Sequence, residues 1–228
     1  MKKGLLLILV VAFAQLGFTQ NCTSFFPQEE GTELVLKSYN KKDKLESIVR
    51  QTLVSKKREG STMVYEVHQE TSDDKDELLM ENDYVFRCED GRFIIDMKTV
   101  MPDEQLEAYE GMEMDVETES IDIPADAAPG EELKDGFISI KVQTGSPITI
   151  NMKVSIVDRK VEAIEEITTP AGTFECLKIS QKVISDVGFV SVSTKNMVWY
   201  AENIGTVRSE TYKDNGKLIA YQVLEEIN

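Results

Sequence analysis

Residues 167–180 read Ile167-Thr168-Thr169-Pro170-Ala171-Gly172-Thr173-Phe174-Glu175-Cys176-Leu177-Lys178-Ile179-Ser180, and this stretch decides the fold. Val161, Ile164, Glu166 and Thr168 lead into Pro170, whose ring fixes φ and whose nitrogen has no hydrogen to give to a sheet ladder. A strand therefore ends there. Gly172 tolerates the positive φ that a reversal needs. Leu177, Ile179 and Val183 then resume a period of two, interrupted at Gln181. Two long strands joined by a tight Pro-Ala-Gly turn form a hairpin.

The same texture extends in both directions. Upstream, Ile148, Ile150, Met152, Val154 and Ile156 alternate with Thr149, Asn151, Lys153, Ser155 and Val157, the cleanest half-buried strand in the chain. Arg159 to Thr168 is expected to answer it antiparallel. Downstream, Phe189 to Thr194 continues through Met197 to Ala201, and Asp214-Asn215-Gly216 turns Thr206–Tyr212 into Leu218–Glu225. Nearer the N-terminus, strand text covers Thr32–Tyr39, Lys44–Ser55, Thr62–Gln69 and Leu78–Cys88. Asp90-Gly91 then turns into a strand with Phe93, Ile95 and Met97 on one face. Met112–Ile123 and Phe137–Val142 complete the set, on either side of a loop around residues 124–136 that is the natural seam. The only helical candidate is a short one near 102–110, with Pro102 in its first turn and acids at its positive end.

About a dozen short-connected strands exclude βαβ repeats and predict an all-β fold: one antiparallel meander curled into an open or closed barrel. The first twenty residues stand apart. Lys2 and Lys3 precede an apolar run from Leu5 to Phe18, the pattern of a secretory signal peptide. Residues 21–228 are then expected to form one β-barrel-like domain in the periplasm, at the outer membrane or outside the cell, with no transmembrane span in the mature chain. Cys22 follows Asn21, whereas bacterial lipid attachment wants a small residue there, so lipidation is not expected.

Lys2 and Lys3 are the only charges among the first twenty residues, so the remainder carries 23 basic against 41 acidic side chains, a net charge of −18. Such a surface makes nucleic acid and anionic membrane faces poor partners. Export permits disulfides, and the three cysteines, Cys22, Cys88 and Cys176, leave at least one unpaired within the chain. Their connectivity does not follow from spacing.

A family resemblance rests on Cys22 through Pro27-Gln28-Glu29-Glu30-Gly31-Thr32, Tyr39-Asn40-Lys41-Lys42-Asp43-Lys44, Cys88-Glu89-Asp90-Gly91, Thr169 to Cys176, Val198-Trp199-Tyr200-Ala201 and Gly205 to Glu210. In this order the segments resemble the exported, TapB-like "domain of unknown function" proteins frequent in Bacteroidetes, over nearly the whole mature chain. The resemblance implies a β-rich envelope protein and brings no activity or catalytic residues. A looser likeness, of architecture alone, is to periplasmic lipoprotein carriers whose half-open barrels hold acyl chains.

Side-chain chemistry points away from catalysis. His68 is the only histidine, so a hydrolase would need it beside Cys88 or Cys176, and no nucleophile elbow accompanies either. No catalytic residue, cofactor or metal site is expected, and Asp73, Asp74, Asp76 and Glu77 read as a solvated acidic turn. Methionine, pliable and tolerant of varied apolar partners, is frequent in the strand text. Met63, Phe93, Met97, Ile148, Ile150, Met152 and Val154 form the expected apolar ligand face of the curled sheet. The reading is a non-enzymatic binding module for an apolar or lipid-like ligand. Its alternative is an envelope structural module that meets a protein partner through a sheet edge or the 124–136 loop.

Overall fold

A computed structural model describes residues 23–100, 111–143 and 149–228. Cys22, Ile148 and the helix expected near 102–110 lie outside these residues. The strands are β1 (Glu33–Asn40), β2 (Leu45–Glu59), β3 (Thr62–Ser72), β4 (Leu78–Glu89), β5 (Arg92–Ile95), β6 (Glu113–Glu119), β7 (Ile121–Pro124), β8 (Gly136–Gln143), β9 (Thr149–Thr169), β10 (Gly172–Val187), β11 (Val190–Ala201), β12 (Gly205–Tyr212) and β13 (Leu218–Ile227). They form one 13-stranded antiparallel sheet in the order β6-β8-β9-β10-β11-β12-β13-β1-β2-β3-β4-β5-β7, curled into a nearly closed barrel. Among the described residues the only helical turn is a 3-10 turn, Met97–Thr99.

The hairpin read from residues 167–180 is present. Thr169 pairs with Gly172 across a Pro170-Ala171 turn, and the β9–β10 ladder runs on to Met152 and Val187. The interruption at Gln181 is a bulge: the register slips between Ser180 and Lys182 opposite Asp158, whose φ is +54°. This bulge corrects one expectation. Residues 149–169 are a single strand, not two antiparallel ones, because Asp158-Arg159 turns no corner. It adds a residue and restores the inward alternation one position later. A second correction concerns Met97, which has left the strand for the 3-10 turn capped by the Asp96 side chain.

Closure follows from how β6 and β7 are joined. The two edge strands of the sheet are separated by Ser120 alone, yet β6 pairs with β8 and β7 with β5. One continuous run of chain thus changes partner midway and spans the gap between the sheet's ends. At the crossing, a Cβ on Gly136 would lie 2.5 Å from Ile121 Cγ2 and 2.6 Å from the Glu119 carbonyl oxygen, so only glycine fits. Arg159 fastens the same place. Its guanidinium is buried and donates to the carbonyl oxygens of Asp122 (2.9 Å) and Lys134 (2.6 Å), tying β7 to the chain before β8. The 124–136 loop is stitched to β9 by Gly130 N–H to Val161 O and Leu133 N–H to Arg159 O.

Cross-strand partners share a face, so the register sorts inside from outside. Leu36 and Leu224, Leu53 and Val67, Tyr65 and Phe86, Cys88 and Phe93, and Ile179 and Val198 are facing pairs directed inward. Two apolar clusters result. The larger holds Leu36, Leu53, Tyr65, Val67, Cys88, Ile179 and Leu224 with Phe25, Phe26, Phe93 and Ile123, and Phe86 packs against it. The smaller holds Met97, Ile121, Ile138, Ile140, Val142 and Met152. Ile95 packs against both.

Candidate ligand-binding site

Period two along β2, β3 and β4 carries the inner face from apolar to polar residues. Leu53 is followed inward by Gln51, Val67 by Gln69, and Phe86 by Tyr84. Gln51 faces Gln69, and Val67 faces Tyr84. Gln51 Nε2 donates to Gln69 Oε1 at 2.7 Å, and Gln69 Nε2 reaches the Tyr84 hydroxyl at 3.5 Å. These groups open onto a cavity of about 250 Å³ whose other walls include Phe25, Phe26, Phe86, Phe93, Ile95, Val100, Tyr200 and Thr206. Among the described residues no charged side chain lines it. Phe25 meets Phe93 and Tyr200 edge-on at 5.9 and 6.0 Å, so the segment entering the fold supplies one wall.

The cavity adjoins an apolar slope. Ile95 and Val100 line it and also pack against the smaller cluster. Beyond that cluster the inner face of β6, β8, β9, β10 and β11 stays apolar toward the end of the sheet. Met114 faces Val142, which faces Ile150; Met152 faces Val187, which faces Val190. Burial fades along the way: Val142 and Ile140 are fully buried, whereas Met114, Val116, Val187, Val190 and Val192 are 39–64% exposed.

Two larger recesses are less suited to an apolar ligand. One, of about 480 Å³, lies against Ser180, Lys182, Lys195, Met197 and Tyr212. Those residues alternate with the inward Ile179 and Val198, so it is an outer groove with two lysines in its wall. The other, about 420 Å³, is bounded by Glu132, Asp135, Asp158, Arg159 and Lys160 beside the seam.

The expected ligand face is divided by the structure. Phe93 is buried in the larger cluster, lines the cavity, and has Met63 packed in the same cluster. Met97 and Met152 are buried in the smaller one, with Ile150 and Val154 packed against them. Gln51, Gln69, Tyr84 and the two N-terminal phenylalanines were not foreseen as cavity residues. The signal lies in the period of two along β3, where Gln69 shares a face with the buried Tyr65 and Val67.

The reactive groups are elsewhere. His68 lies on the outer face with Nδ1 2.7 Å from Asp83, and its Nε2 is 3.9 Å from Glu70. His68, Glu70 and Glu81 offer ligand atoms within 4.8 Å of one another, the one such group of three among the described residues. Cys88 is disulfide-bonded. Cys176 is free, and burial pushes its thiol up to about 11, so at neutral pH it stays protonated. Neither cysteine pairs with His68. On the outer face Glu165 accepts from Trp199 Nε1 (2.6 Å) and Lys178 Nζ (3.1 Å), which hold its carboxyl below the ordinary range.

No functionally curated protein matches the chain. Two solved structures are similar over 91% of this chain and 100% of their own. A candidate lipoprotein from Parabacteroides distasonis ATCC 8503 is 28% identical with a TM-score of 0.73. A candidate exported protein with YmcC-like fold from Bacteroides fragilis NCTC 9343 is 26% identical with a TM-score of 0.72. No helix among the described residues is long and apolar enough to cross a membrane. The family model described as DUF3108-like matches residues 29–224, and the chain belongs to the DUF3108-like family.

Proposed function

We propose that the protein is an exported, non-enzymatic binding module that holds a lipid-like ligand. The uncharged cavity takes a neutral polar head and the apolar slope takes the chain. One observation carries the reading: a cavity whose described lining is amides, hydroxyls, aromatic rings and aliphatic side chains, with no charge among them, opens beside an inner sheet face that stays apolar while becoming exposed. Ligand sites combine apolar walls with a few convergent polar groups, usually in roughly 300–1,000 Å³. At about 250 Å³ this cavity suits the head of an amphiphile better than the whole molecule. Tyr84 has a hydroxyl hydrogen to donate, and the Gln51 amide an oxygen to accept with. A carboxylate or phosphate would enter without a counter-charge, which is costly. The similarity to a candidate lipoprotein and a candidate exported protein supports residence in the cell envelope, in the periplasm or at the outer membrane.

The test is a mass spectrum of an organic extract of protein purified without detergent. A bound neutral amphiphile is expected at a stoichiometric level, and a ligand-free extract contradicts the reading. The second reading, a structural envelope module without a small ligand, draws on β6, whose residues are all exposed. A stable protein partner recovered from envelope fractions, with a clean extract, would favour it.

A further inference from the structure

The barrel has two unlike ends. β10, β12, β1 and β3 all run toward one of them, so the turns that follow these strands gather there: 188–189, 213–217, 41–44 and 73–77. Phe25 and Phe26, with the turns at 170–171 and 90–91, belong to the other. At the first end the β10–β11 hairpin closes on Gly188-Phe189. Phe189 is fully exposed, and Val187 and Val190 beside it are 53% and 64% exposed. Leu78 and Leu79, just past the 73–77 turn, are 58% and 62% exposed. Exposed apolar points of this size mark interaction surfaces.

The turns at this end balance, with six lysines against six acids over 41–44, 73–77 and 213–217, and four of the lysines cluster on one side of it. Lys41, Lys42, Lys213 and Lys217 surround a recess of about 250 Å³, and no carboxylate is among its described lining residues. The two turns are adjacent, with Lys41 N–H bonded to Ile219 O at 3.1 Å. Ser193 on β11 donates to Asp214 at 3.1 Å, which joins the lysine turns to the hairpin. Several acids of this end are engaged: Asp43 by the Tyr221 hydroxyl, Asp214 by Ser193, Asp76 by Arg50 and Asp74 by Lys44. Asp186 flanks the hairpin tip.

We propose that this end docks on an anionic lipid bilayer, with Phe189 entering the interface and the four lysines meeting headgroup phosphates. An aromatic tip beside lysines matches both layers of a membrane surface, whereas a protein groove would need no such pairing. The net charge of −18 on residues 21–228 opposes approach from afar. Screening over about 10 Å confines that repulsion, so contact is governed by the local lysines. The inference does not depend on what the cavity holds.

Flotation of the exported full chain with vesicles tests it. Wild-type protein is expected to float with mixed phosphatidylcholine–phosphatidylglycerol vesicles at low salt and less at high salt. Phe189→Ser, a change at a fully exposed position that leaves the circular dichroism spectrum intact, is expected to lower the bound fraction by at least about ten-fold. Lys213→Glu with Lys217→Glu is expected to lower binding to the mixed vesicles by roughly ten-fold or more, with little change on pure phosphatidylcholine. The proposal is overturned if wild-type protein does not float, if Phe189→Ser floats equally well, or if the lysine variant binds mixed vesicles as wild type does.

Discussion

Arg159 shows how one side chain settles a closure that no ladder can. It lies just past a bulge, so its side chain turns inward where the strand would otherwise present an apolar residue. Both of its carbonyl partners sit where β6–β7 changes sides. Burial lowers its pKa, and Tyr200 and Asp122 favour its charge. Arg159→Ala leaves two acceptors without their donor in a dry site and is expected to destabilise the fold by roughly 2–4 kcal/mol in urea unfolding. Glu165 gives a residue-scale test of sign. Its folded pKa is depressed by Trp199 and Lys178, so its stabilisation is present above the ordinary carboxylate range and lost as pH falls through the folded value. The stability difference between wild type and Glu165→Gln is therefore expected to shrink toward zero in acid; a gap that persists there would assign the effect to packing.

At the scale of elements, alternation was enough to place nearly every strand. It failed where a bulge and a turn look alike in sequence: Val157-Asp158-Arg159-Lys160 carries the polar residues of a reversal, yet the chain runs straight on. Nothing local distinguishes the two, because the partner strand decides. The Met112–Ile123 text reads as one strand, and the backbone nearly is one; that it serves two neighbours depends on the far ends of the sheet meeting. Gly136 makes that meeting fit. Gly136→Ala puts a methyl group within 2.6 Å of the Glu119 backbone. It is expected to cost about 1–3 kcal/mol, read as a lowered denaturation midpoint. Unchanged stability would mean that the crossing has slack.

Across the whole molecule, the candidate site was only partly foreseeable. Apolar positions were readable, but which of them pack solid and which face open space depends on how tightly thirteen strands curl. Met97 and Met152 fall where the wall is filled, Phe93 where it is hollow. The glutamines could be placed on the inner face, whereas their convergence with Tyr84 is a product of three strands in register. The charge distribution is likewise a property of the assembled barrel, since the lysines at one end come from turns far apart in sequence.

The most direct measurement is calorimetric titration of delipidated protein with a monoacylglycerol and with the fatty acid of equal chain length at neutral pH. The monoacylglycerol is expected to bind at least about ten-fold more tightly, because its head is neutral, and Gln69→Leu is expected to weaken it. Equal affinity for the two, preference for the carboxylate, or no binding of either would contradict an uncharged cavity built to hold a polar head.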